Sequence, residues 1–127
     1  MASSLKVLIL EDDPAIGEIQ VAMLGALGYV AVLARHGGAA LDACRAHRDQ
    51  GEPFQLALLD LTIEGGLGGR EIVPKLKELD AALRLIACSG FCEETLNAQL
   101  LREGFADVLA KPFRPQELAA VLEKNRP

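Results

Sequence analysis

Three carboxylates in a row, Glu11-Asp12-Asp13, directly follow the apolar run Val7-Leu8-Ile9-Leu10 and directly precede Pro14. Two like charges about 4 Å apart repel by roughly 4 kcal/mol at an effective dielectric near 20. A small domain has only about 5–15 kcal/mol of net stability, so such a cluster needs a cation or free access to water. Other reactive groups close later apolar runs: Asp60 after Leu56-Ala57-Leu58-Leu59, Ser89 after Leu85-Ile86-Ala87-Cys88, and Lys111-Pro112-Phe113 after Val108-Leu109-Ala110. Taken singly, an Asp in such a place is a helix cap or a solvated loop acid, a Ser before Gly is turn chemistry, and Lys-Pro is a surface turn. Taken together they form an oxygen-rich set suited to a hard divalent cation, Mg²⁺ or Mn²⁺. Asp12 and Asp60 would supply carboxylate oxygens, with Glu11 close behind. A cation held in this way attracts phosphate, and a carboxylate can act as the nucleophile toward a phosphoryl group, forming an aspartyl phosphate. The Lys111 ammonium and the Ser89 hydroxyl are then the partners that the phosphoryl oxygens need. Phosphoryl transfer asks for little beyond positioning and electrostatics.

The elements that must position these groups can be read from the periodicity. Strand-like apolar runs cover 5–10, 29–34, 54–61, 83–90 and 106–110. Helical spacing covers 15–28, 37–51, 70–80, 92–104 and 114–125. Gly28 and Gly104 act as helix stops, and Pro74 and Pro115 are placed near helix starts, where a missing N–H costs least. Five βα units in succession imply an α/β fold, a parallel sheet with helices on both faces. Ligands of such sheets bind at the carboxyl ends of the strands, which is where the reactive groups fall. Arg35-His36 at the end of the second strand joins no constellation.

Composition narrows the function classes. The 127 residues suffice for one domain, placed at 5–124, with no linker or repeat. With one Tyr, four Phe and no Trp, the core must be aliphatic, as suits buried parallel strands. A net charge of −5 without any basic run is a poor match to a nucleic-acid backbone. No apolar run is long enough to span a membrane, and the N-terminus does not read as a secretion signal. Cys44, Cys88 and Cys92 lack metal-site spacing and read as free thiols of a reducing cytoplasm. His36 and His47 read as surface residues, and Cys88, Leu96 and Leu100 as core.

In the segments LILEDDP, LALLDLTI, IACSGF and VLAKPF, in that order, the chain resembles the receiver domain of two-component response regulators over about residues 5–124. The resemblance implies a doubly wound, flavodoxin-like sheet in order 2-1-3-4-5 flanked by five helices. It implies that Asp60 is the phospho-acceptor and Asp12 a direct metal ligand, with Glu11 completing the acidic pair. Thr62 would offer its backbone carbonyl to the metal, and Ser89 and Lys111 would hold the phosphate and switch with it. The Lys111–Pro112 bond would be cis. The donor would be a sensor histidine kinase or a histidine phosphotransfer protein docking near Ile16 and Pro112-Phe113, and an unnamed downstream partner would read the result. The chain would be no enzyme beyond its own phosphorylation and dephosphorylation, with Thr62 and Phe91 tuning the phosphoryl lifetime. No output domain is expected, so it would act through a partner or as part of a larger protein.

Three positions depart from the family pattern. Glu64 stands where Pro is common four residues after the acceptor. The loop Gly65-Gly66-Leu67-Gly68-Gly69 is glycine-rich and one residue longer than usual. Val108 occupies the switch position that often carries Tyr or Phe, which puts aromatic coupling to Ser89 in doubt. The combination is most similar to receivers attached to hybrid sensor kinases. Rival readings fare worse. A haloacid-dehalogenase-type enzyme needs a second Asp where Thr62 stands, and a flavodoxin-like FMN module would find its phosphate repelled by Glu11-Asp12-Asp13. A degenerate receiver that only binds partners is the alternative.

Overall fold

The computed structural model of the chain describes residues 5–63, 67–90 and 94–127; the expectations placed on Glu64, Phe91 and Cys92 lie outside them. Strands and helices alternate: β1 Lys6–Leu10, α1 Pro14–Ala26, β2 Val30–Ala34, α2 Gly37–Asp49, β3 Leu56–Asp60, α3 Gly69–Leu79, β4 Arg84–Ser89, α4 Glu94–Arg102, β5 Asp107–Ala110 and α5 Pro115–Lys124. All five strands pair in parallel in the order β2-β1-β3-β4-β5, the flavodoxin-like arrangement. Helix and strand ends fall within about two residues of the sequence reading, the usual scatter of element ends.

Burial explains the aliphatic composition. β1 and β3 lie inside the sheet with both faces covered, so their residues are apolar without alternation. Val7, Leu8, Ile9, Leu56, Ala57 and Leu59 are all 0% exposed. Alternate residues still separate two cores. Leu8, Leu10, Ala57, Leu59, Leu85 and Ala87 pack with Leu41 and Cys44 of α2, Ile72 and Leu76 of α3, and Leu100 of α4. Val7, Ile9, Leu58, Ile86 and Cys88 pack with Leu24 of α1 and with Leu118 and Leu122 of α5. Each such buried aliphatic side chain contributes roughly 1.5–3 kcal/mol by leaving water.

Local signals fix the helix ends. Asp13 caps α1, its Oδ1 accepting from the N–H groups of Ala15 and Ile16 at 2.9 and 3.2 Å. Gly28, with φ +92°, turns the chain out of α1. His36 caps α2 in the same manner, Nδ1 accepting from the Ala39 N–H at 3.1 Å. Two expectations need correction. Pro74 is the sixth residue of α3, beyond the first turn; α3 starts at Gly69, and an exposed site lets water take the carbonyl that the missing N–H leaves over. His47 is no simple surface residue. Its ring lies 4.4 Å from that of the buried Phe54, because the tail of α2 folds over the entry to β3.

The helices meet the strand ends closely. A methyl group on Gly37, the first residue of α2, would lie 2.6 Å from Leu67 Cβ and 2.7 Å from the Leu67 carbonyl oxygen. Gly25, inside α1, has nothing within 4 Å of that position. Urea unfolding should therefore show Gly37→Ala destabilised by about 1–3 kcal/mol, whereas Gly25→Ala should be unchanged or stabilised by up to about 1 kcal/mol. Equal effects from the two substitutions would contradict this packing.

Candidate functional site

The parallel register carries the reactive groups to one edge of the sheet. Leu10 is level with both Ala34 and Leu59, Asp60 with Cys88, and Ser89 with Ala110. Each next residue enters the loop at the carboxyl end. The ladder continues just past the strands: Glu11 N–H donates to the Ala34 carbonyl at 3.0 Å, Leu61 N–H to Cys88 at 3.3 Å, and Lys111 N–H to Ser89 at 2.8 Å. The loops are thus fixed at their first residues, and the side chains projecting from them are set by the sheet.

Carboxylate oxygens of Glu11, Asp12 and Asp60 lie within 4.8 Å of one another. Lys111 reaches into the group, Nζ donating to Glu11 Oε1 at 2.7 Å and to Asp60 Oδ2 at 3.3 Å. The other Asp60 oxygen, Oδ1, accepts from the Thr62 N–H at 3.2 Å, and Glu11 Oε2 accepts from the Asp13 N–H at 3.2 Å. Asp60, Thr62, Ser89, Gly90 and Lys111 line a cleft of about 280 Å³, with Leu61 and Cys88 in its wall. The structure brings Glu11, Asp12, Asp60, Thr62, Ser89 and Lys111, all singled out in the sequence, to one edge of the sheet. The Lys111–Pro112 peptide is cis. Val108 is half-buried against the core on the α2–α4 side of the sheet and brings no ring to the cleft.

The electrostatics follow from unequal burial. Glu11 is 2% exposed, while Asp60 and Lys111 keep 13% and 20% of their side-chain surface. Burial pushes the Glu11 carboxyl above its ordinary range, against the pull of its Lys111 hydrogen bond. Burial also works to lower Lys111, but the bond to Glu11 and the charge of Asp60 outweigh it and hold the ammonium above its ordinary value. Burial pushes the Cys88 thiol up to about 12, so it stays protonated and inert in the wall. One role the sequence reading did not assign: the third acid of the run, Asp13, spends its side chain on capping α1. The capping rule of an Asp before an apolar helical run would have found it.

Hard-cation chemistry fits this set. Three carboxylates face one ammonium, which leaves two negative charges for a divalent ion. The remaining ligands of such an ion are commonly water and backbone oxygen. Without a cation, Lys111 is the ammonium that bridges Glu11 and Asp60. Lys111→Met should therefore lower the stability of the metal-free protein at pH 7 by about 1–3 kcal/mol, the usual cost of leaving a buried polar group unsatisfied. A carboxyl whose folded pKa is raised costs stability above that value, and the cost disappears as the group takes up its proton. The deficit of Lys111→Met should accordingly shrink as pH falls toward about 5. A deficit that is constant from pH 7 to 5 in urea unfolding would contradict the pairing.

With this geometry in hand, the chain can be set beside known proteins. A family model described as the response regulator receiver domain matches residues 7–123. The response regulator receiver protein CpdR of Brucella abortus is 30% identical over 119 residues, covering 94% of each chain. The transcriptional regulatory protein AruR of Pseudomonas aeruginosa is 32% identical over 121 residues; the match covers 94% of this chain but only 48% of that longer protein. Among solved structures, the receiver domain of sensor histidine kinase PA1611 from Pseudomonas aeruginosa is 25% identical. It superposes with a TM-score of 0.81, covering 96% of this chain and 97% of that one, and carries a magnesium ion in its active-site cleft.

Proposed function

The chain belongs to the response regulator receiver domain family, and from that premise we propose that it is a phosphoacceptor that takes a phosphoryl group from phosphohistidine onto Asp60. The observation that carries this reading is the convergence of three carboxylate oxygens within 4.8 Å around the Lys111 ammonium. A binding-only receiver would have no use for that concentration of like charge.

Each residue then has a task. Asp12, Asp60 and the Thr62 carbonyl would hold Mg²⁺ or Mn²⁺, with Glu11 behind them. When bound, the ion supplies positive charge where the phosphoryl oxygens gather. An Asp60 carboxylate oxygen forms the new O–P bond as the P–N bond to the donor imidazole breaks, and the bonding pair stays on the imidazole nitrogen. Thr62 N–H, already on Oδ1, orients the carboxylate. Lys111, on Oδ2, is placed to pass to a phosphoryl oxygen. The Ser89 hydroxyl lies in the wall of the same cleft and donates to another. The chain acts as an acceptor used once per signal and is no turnover enzyme. With Val108 in place of an aromatic ring, the response in α4 and β5 is partial or built differently from that of receivers with the ring.

The donor is a sensor histidine kinase or a histidine phosphotransfer protein. A groove of about 380 Å³ beside the site, lined by Ile16, Ile19, Met23, Pro112 and Phe113, supports docking there. Ile16 and Ile19 are 37% and 56% exposed, as a surface awaiting an apolar partner would be. Among the described residues no helix is long and apolar enough to cross a membrane.

Intact-mass measurement after incubation with acetyl phosphate and Mg²⁺ tests the proposal. One phosphoryl group should be added to the wild type, and none to Asp60→Asn or to wild type with the metal chelated. Unchanged mass in the wild type, together with Mg²⁺ binding and no response to beryllofluoride, would favour the binding-only alternative.

A further inference from the structure

The chain segment after Asp60 is locked against the start of α3. A methyl on Gly69 would stand 2.9 Å from the Asp60 carbonyl oxygen and 2.9 Å from Leu59 Cβ; one on Gly68 would stand 2.4 Å from the Leu61 carbonyl oxygen. Backbone thus rests on backbone, with no room for slack. The next residue, Arg70, leaves α3 as a two-pronged fork. Its Nε donates to Glu103 Oε1 at 2.9 Å, and its Nη2 donates to Glu103 Oε2. Glu103 follows the last residue of α4 directly, and its N–H still donates to Gln99 in that helix. The α4 end is seated on α3 by a second contact. Gly104 turns there at φ +116°, where a methyl would come within 3.2 Å of Val73 Cγ1, and Phe105 beyond it is 3% exposed. A planar pairing onto both carboxylate oxygens fixes direction as well as distance; Arg48, by contrast, sends Nε and Nη2 to a single oxygen of the adjacent Asp49.

We propose that α3 is the arm linking the acceptor to α4: displacement of the Asp60–Thr62 segment is carried through Gly68-Gly69 to Arg70, and from there through the Arg70–Glu103 fork to the C-terminal end of α4. This inference rests on the phosphoacceptor reading above. It supplies a route that does not use the ring absent at Val108. Such a route shows itself as coupling between the acceptor and α4.

The experiment is hydrogen exchange of α4 with and without beryllofluoride and Mg²⁺, a non-hydrolysable stand-in for the phosphoryl group, with thermal stability recorded in parallel. In the wild type the mimic should raise the melting temperature and change α4 exchange by about threefold or more. In Arg70→Gln the mimic should still raise the melting temperature, but the α4 change should fall to a small fraction of that in wild type. Arg70→Glu with Glu103→Arg should restore it. Because each variant is compared with itself plus and minus mimic, a general loss of stability does not imitate this pattern. A full α4 response in Arg70→Gln overturns the arm and leaves the acceptor reading standing. A wild type whose stability and exchange ignore the mimic overturns the acceptor reading, and the arm with it.

Discussion

Like charges forced together at the end of a buried strand are the constraint from which this molecule is best understood. Glu11, Asp12 and Asp60 converge within 4.8 Å. At an effective dielectric near 20, each such pair of carboxylates repels by roughly 3–4 kcal/mol. Lys111 answers part of this, bonding both Glu11 and Asp60. The remaining imbalance of negative charge is what the proposed function would draw on: a divalent cation, and a phosphoryl group with it, would relieve it.

The rest of the fold makes that concentration of charge tolerable. Residues 7–10 of β1 and 56–59 of β3 are buried and aliphatic, so the strands leading to Glu11 and Asp60 are held by packing that does not depend on the acids. Parallel pairing continues one residue past each strand at Glu11, Leu61 and Lys111, which fixes where the side chains begin. Asp13 is drawn off to cap α1, so the third acid of the run adds its charge to a helix N-terminus, where negative charge is favoured.

Much of this was legible in the sequence because the sheet does simple geometry. In a parallel α/β sheet every strand ends on the same side, so residues at strand ends share one edge whatever their separation in the chain, and strand order decides which of them meet. That is why Asp60 and Lys111, 51 residues apart, could be paired in advance. The order β2-β1-β3-β4-β5 came from family resemblance, since periodicity alone does not choose among strand orders. What stayed hidden depended on helix placement. The Arg70–Glu103 fork joins residues 33 apart on two helices whose relative position no local pattern encodes. The seating of His47 on Phe54 likewise depends on how the tail of α2 meets the start of β3. Pro74 was placed too near the helix start although that start was read to within one residue: it is the fifth residue of 70–80 and the sixth of α3.

On the proposed function, geometry would single out one carboxylate, Asp60, from a crowd of similar ones, and borohydride trapping reads which one is used. Reduction of an aspartyl phosphate releases phosphate and leaves homoserine at the position that carried it. After treatment with acetyl phosphate and Mg²⁺, peptide mapping should find homoserine at Asp60, where the carboxylate is held by Thr62 N–H on one oxygen and Lys111 on the other. Homoserine at Asp12 or Asp13 instead would contradict the account, because acidity at the strand ends would then suffice without the arrangement around Asp60.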